Sequence, residues 1–140
     1  MEIVLASHSN LSVGMKDTTE FIMGKQDKLH AIAAYVEEGK SVGDQLEELV
    51  SSLATNEVLF ITDLKGGSVN SAVSEYMIGK EKYFLISGMN LALVLELLSV
   101  SFKEKREEVI KQLEEIVVNS ASGTEVIDVN DLGTQIDEDF

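Results

Sequence analysis

A histidine, His8, follows directly on the apolar run Ile3-Val4-Leu5-Ala6 and the small residue Ser7. An imidazole just past a buried strand can move a proton, hold a metal or carry a phosphoryl group. Two other segments supply groups of matching chemistry. One is Asp63-Leu64-Lys65-Gly66-Gly67-Ser68, the other Ser87-Gly88-Met89-Asn90. A carboxylate such as Asp63 can accept a hydrogen bond from one imidazole nitrogen. That fixes the tautomer, leaves the other nitrogen with a free lone pair, and stabilises the cation formed when it attacks phosphorus. Gly66 and Gly67 allow a tight bend and close approach of the backbone to a bulky anion. Ser68 is expected to add a hydroxyl at a helix cap. The group reads as a small oxyanion cradle, although neither the G-x-x-x-x-G-K-[ST] nor the G-x-G-x-x-G spacing is present, so no nucleotide site is indicated.

The elements that must position these residues follow from hydrophobic periodicity. Ile3–Ala6, Leu29–Val36, Val58–Ile61 and Tyr83–Ile86 read as strands, and Val126–Val129 reads as a late one. Between them, Leu11, Met15, Thr18 and Ile22 mark one face of a first helix that Gly24 ends. Ser41 caps a second helix along Val42, Leu46, Leu49, Val50 and Leu53. Ser68–Met77 is a third. Asn90–Val100 is nearly all apolar and is expected to be buried on most sides, with Asn90 as its cap. Lys103–Val118 is amphipathic along Val109, Ile110, Leu113, Ile116 and Val117. This alternation predicts an α/β fold: a doubly wound open sheet, mostly parallel, with helices on both faces. Right-handed crossovers then bring the strand C-termini to one edge, where the His8, Asp63–Ser68 and Ser87–Asn90 loops converge. His30 opens the second strand at the opposite edge, so the two histidines cannot share a metal. Neither a metal nor a cofactor is expected.

With 140 residues, one domain is the default. Residues 1–130 are assigned to it and 131–140 to an acidic tail. The formal net charge is -14, which disfavours nucleic acid and anionic lipid as partners. Without cysteine, no disulfide or thiolate chemistry is available. No apolar run approaches the roughly 20 residues of a membrane span, and the short apolar start lacks the basic flank of a secretory signal. A soluble, cytoplasmic protein is expected.

Taken together, Ser7-His8, Asp63-Leu64-Lys65-Gly66-Gly67-Ser68, Asn70-Ser71-Ala72 and Ser87-Gly88-Met89-Asn90-Leu91 resemble the IIA domain of the mannose-family sugar phosphotransferase system (PTS) of bacteria. The match covers the first hundred residues or so. The resemblance implies a phosphotransferase in which His8 takes a phosphoryl group from the phosphocarrier protein HPr and passes it to a IIB component. It makes Asp63 the residue that orients His8 and Ser68 the one that contacts the phosphoryl group, with Gly66 and Gly67 beside it. It also implies a homodimer in which the C-terminal strand, Val126–Val129, crosses to the partner's sheet as an antiparallel strand.

Because a chain of this charge does not attract a phosphate at long range, docking is expected on an apolar ring of Leu11, Met15, Leu64 and Met89. Lys65 is read as a solvated surface residue. Three other readings compete. The Ser7-His8-Ser9 opening is similar to that of the phosphocarrier subunit of dihydroxyacetone kinases, which uses the same histidine with another acceptor. A receiver domain phosphorylated on Asp63 needs an acidic cluster after the first strand, where this chain has Ala6-Ser7-His8. A non-catalytic dimeric module could hold a small anion in the same loops. The transported sugar cannot be read from these residues, because the IIA component does not touch it.

Overall fold

The computed structural model describes residues 1–131. Four strands form one wholly parallel sheet: β1 (Glu2–His8), β2 (Leu29–Ala34), β3 (Val58–Thr62) and β4 (Tyr83–Ser87), in the order β2-β1-β3-β4. Five helices accompany them: α1 (Leu11–Met23), α2 (Val42–Ser51), α3 (Ser68–Met77), α4 (Leu91–Ser99) and α5 (Arg106–Ala121). Side chains alternate across the strands, so each strand feeds two cores. Ile3, Leu5, Leu59, Ile61, Phe84 and Ile86 pack on α4 and α5 through Leu93, Val94, Leu97, Val109, Leu113 and Ile116. Val4, Ala6, Ile32, Val58 and Phe60 pack on α2 and α3 through Val42, Leu46, Val69 and Val73. α1 lies on the α4 side, against β1, β2 and α4. Both faces of the sheet are therefore covered, which is why its strands read as unbroken apolar runs.

The order β2-β1-β3-β4 has a consequence for chemistry. From β1 the chain goes outward to β2, then returns to lay β3 on the other side of β1. The crossovers leave to opposite sides between β1 and β3, so the crevice above these two C-termini is not roofed by a connection. His8 ends β1, and Asp63 is the first residue after β3. Ala6 and Thr62 are register partners, which sets the two side chains at similar height.

The capping expectations hold for α2 and α4. Ser41 Oγ accepts from the Asp44 amide at 3.0 Å, and Asn90 Oδ1 accepts from the Leu93 amide at 2.9 Å. No helix among the described residues is long and apolar enough to cross a membrane.

Four details differ from the sequence expectations. α1 does not bury the Leu11/Met15/Thr18/Ile22 face: its buried residues are Ser12 and Thr19, while Leu11 and Ile22 are exposed. Small polar residues let the helix sit close to the sheet, and Ser12 is secured there. Its hydroxyl donates to the Ile32 carbonyl at 2.7 Å and its amide donates to Ser7 Oγ at 2.7 Å. β2 stops at Ala34 rather than Val36, because Tyr35 takes a left-handed conformation with φ of +66°. Gly67, not Ser68, occupies the cap position of α3. Val126–Val129 forms no strand, and Val126, Ile127 and Val129 are exposed with no strand to pair with among the described residues. The acidic tail lies, from residue 132 onward, outside the described residues.

Candidate active site

The strand ends and helix starts bring His8, Asp63 and Ser68 together. The His8 backbone amide donates to Asp63 Oδ2 at 2.8 Å, and His8 Nδ1 lies 2.8 Å from the same oxygen. The amide contact holds the carboxylate beside β1, and the ring contact then sets the imidazole. With Asp63 an acceptor, the proton of the neutral ring sits on Nδ1 and Nε2 carries the lone pair. Ser68 Oγ is 3.2 Å from Nε2.

The two partners differ in exposure. The Asp63 side chain is 11% exposed and that of His8 42%, so the carboxylate is sheltered and the imidazole is open to solvent. Burial pushes the Asp63 carboxyl up, but donation from the His8 amide and ring, with the ring's charge, outweighs it. The carboxyl is held below its ordinary value of 3.8. It is therefore an anion throughout the physiological range, available to offset positive charge on the ring.

Gly66 and Gly67 have separate reasons to be glycine. Gly66 has φ of +75°, a left-handed conformation that other residues adopt at a cost of about 1–2 kcal/mol. At Gly67, a Cβ would lie 3.3 Å from His8 Cε1 and 3.3 Å from the Leu64 carbonyl oxygen. The missing side chain lets the start of α3 approach the imidazole. No side chain caps α3, which leaves its first N–H groups free to meet an anion. Thr62 and Asn70 brace this arrangement from below, the Thr62 hydroxyl donating to Asn70 Oδ1 at 2.7 Å. The Thr62 carbonyl accepts the Gly88 and Met89 amides, both at 3.0 Å, tying the third loop to the same edge.

The proposed docking residues divide. Leu11 and Leu64 are exposed, whereas Met15 and Met89 are partly buried and pack against the core of the α4 face. The ring is thus narrower than expected. Lys65 is exposed. His30 is away from the site, its Nε2 2.8 Å from Glu2 Oε2.

Tyr35 joins the site without being predicted by the sequence. The Tyr35 hydroxyl is 2.6 Å from Ser68 Oγ, and its ring centroid is 5.7 Å from that of His8. In the sequence it continues the apolar run of the second strand and carries no signal of its own. A usable hint is its position, one residue beyond Ala34, the register partner of His8.

The chain is similar to several known proteins. The family model of the PTS fructose IIA component matches residues 2–114. The sorbose-specific EIIA component of Lacticaseibacillus casei is 31% identical over 97 residues, 69% of this chain and 70% of that protein. Among solved structures, a Klebsiella pneumoniae protein assigned to a phosphoenolpyruvate-dependent sugar PTS superposes with a TM-score of 0.76 at 30% identity, covering 89% of each chain. The PTS IIA protein associated with the fucose utilization operon of Streptococcus pneumoniae does so with a TM-score of 0.68 at 27% identity, covering 94% of each.

Proposed function

The chain belongs to the mannose-type IIA family of the sugar phosphotransferase system, and on that premise we propose that His8 is a reversible phosphoryl carrier between HPr and a IIB component in the cytoplasm. The observation that carries this reading is the shared oxygen: Asp63 Oδ2 holds both the His8 amide and Nδ1 at 2.8 Å, presenting Nε2 toward solvent. In the transfer, the Nε2 lone pair attacks phosphorus. The N–P bond of the phosphorylated donor breaks, and the donor imidazole leaves with the electron pair. The His8 ring keeps its Nδ1 proton and becomes cationic, and the Asp63 carboxylate offsets that charge. Ser68 Oγ and the free amides at the start of α3 lie where phosphoryl oxygens would be received. Transfer to IIB reverses the step. The site must therefore favour the transition state over the resting phosphoenzyme, and the partly exposed His8 side chain suits a group that has to leave again.

A homodimer is part of the same proposal. β4 is one of the two edge strands of the sheet. Beside it, Phe84, Ile86, Ile110, Leu113 and Val117 line an apolar groove, and Val126, Ile127 and Val129 extend uncovered from the end of α5. An exposed edge and an exposed apolar segment on one chain are complementary halves of a strand exchange between two copies.

The test is a relay assay. The protein is incubated with phosphoenolpyruvate, enzyme I and HPr, repurified, and mixed with a IIB component. Phosphoryl transfer onto IIB supports the carrier role. Labelling without transfer to any IIB, but with transfer to a dihydroxyacetone kinase, would move the chain to that system. Absence of labelling would leave an anion-binding module.

A further inference from the structure

We infer that Tyr35 is a positioning residue for phosphoryl transfer, acting through Ser68; the inference rests on His8 being the phosphoryl carrier. The direction of the hydrogen bonds follows from proton counting. His8 Nδ1 donates to Asp63, so Nε2 is an acceptor. The contact between Nε2 and Ser68 Oγ, 3.2 Å, therefore uses the single proton of the Ser68 hydroxyl. The contact between Ser68 Oγ and the Tyr35 hydroxyl, 2.6 Å, then has only one donor left, the tyrosine. The chain runs Tyr35 O–H to Ser68 O–H to His8 Nε2, and His8 Nδ1–H to Asp63. Each donation polarises the next.

The order changes when phosphorus bonds to Nε2. That lone pair is consumed, and the Ser68 proton needs a new acceptor, which the phosphoryl oxygens supply. A serine hydroxyl rotates freely unless something holds it. The Tyr35 donation occupies one lone pair of Ser68 Oγ in both states and so restricts where the proton points. No proton is transferred along this chain. The bond that forms is Nε2–P, the bond that breaks is the donor's N–P, and both hydroxyls keep their hydrogens.

Two further observations single out this tyrosine. Its φ of +66° is a conformation that a bulky residue rarely adopts, and the turn it makes directs its ring toward His8. The residue as a whole is also mostly solvent-exposed, at 64%, so burial does not account for that orientation. Strain in the backbone without a packing return is the pattern of a functional position.

The experiment is a double-mutant cycle on the full chain: wild type, Tyr35→Phe, Ser68→Ala and the double variant, with His8→Ala as the blank. Transfer from phospho-HPr is followed in single turnover at several donor concentrations. Tyr35→Phe keeps the ring and removes only the hydroxyl. The expected result is a saturating rate reduced roughly three- to tenfold, the loss of one neutral hydrogen bond, with the half-saturating concentration unchanged. In the Ser68→Ala background, Tyr35→Phe should cause no further loss. A Tyr35→Phe rate equal to wild type overturns the inference. So does an equal loss in both backgrounds, because the hydroxyl would then act independently of Ser68. If wild type itself takes no phosphoryl group, the carrier reading fails and this inference fails with it.

Discussion

His8 and Asp63 are joined twice through a single atom: Asp63 Oδ2 accepts from the His8 backbone amide and from His8 Nδ1, both at 2.8 Å. The amide contact is independent of the imidazole's orientation, so the carboxylate is already in place when the ring swings onto it. A side chain from the residue after β3 thus fixes the residue that ends β1, across the point where the crossovers diverge.

Removing that carboxylate should slow the chemistry more than it weakens the partner complex. Asp63→Ala is expected to lower the saturating transfer rate by about two or more orders of magnitude, the scale of losing an orienting and charge-stabilising group. Rapid-quench measurement of the phosphorylated fraction against HPr concentration checks this. A near-normal rate would leave Asp63 with a structural role alone.

The same contact should appear in acid stability. The folded Asp63 carboxyl titrates below its ordinary value of 3.8, so between the two values the unfolded chain binds the proton first. The stability from this group is complete above the ordinary value and is lost as pH falls through the lower, folded one. Urea unfolding of wild type and Asp63→Asn should show a gap that is constant above about pH 5 and narrows below about pH 4. A gap that stays constant down to pH 3 would contradict it.

At the other end of the pH scale, Tyr76 is predicted to make folding alkali-sensitive. Burial, and Glu47 accepting its hydroxyl at 3.2 Å, push the Tyr76 phenol from 10.0 up to about 12. The unfolded chain releases this proton first, so stability falls as pH rises from 10 toward 12. Tyr76→Phe should flatten part of that decline in thermal melts, and an identical slope in both proteins would refute the assignment.

Gly67→Ala tests the close approach of α3 to the imidazole. The new Cβ would press on His8 Cε1 and on the Leu64 carbonyl at 3.3 Å, moving the ring by a few tenths of an ångström. Stability should change little, by about 1 kcal/mol or less, while transfer falls by about tenfold. Equal transfer in both proteins would show that the gap is not used.

Leu64, exposed beside the site, offers a test of docking. Leu64→Asp should leave thermal stability within about 0.5 kcal/mol of wild type and raise the HPr concentration needed for half-maximal rate. An unchanged concentration dependence would remove Leu64 from the interface.

Much of this was legible in the sequence, for identifiable reasons. The strands are buried on both faces, so Ile3–Ala6 and Val58–Ile61 stand out without periodicity. His8, Asp63 and Ser68 were legible because strand–helix alternation forces their loops to one edge. Tyr35 was not, because φ of +66° at a tyrosine is imposed by its surroundings rather than by residue type. The seating of α1 was also hidden: Ser12 is buried on the strength of hydrogen bonds to Ser7 and Ile32, which hydrophobic patterning does not register. Val126–Val129 has strand character, but a strand needs a partner, and this chain offers it none among the described residues.

Whether His8 Nε2 carries the phosphoryl group is tested most directly by labelling the protein with phosphoenolpyruvate, enzyme I and HPr and examining the phosphoprotein chemically and by imidazole nitrogen NMR. The expected result is one phosphate per chain, labile in acid and stable in base, bonded to Nε2 of His8 and absent from His8→Ala. A label that survives in His8→Ala, or one released by hydroxylamine as an acyl phosphate on Asp63 would be, contradicts it.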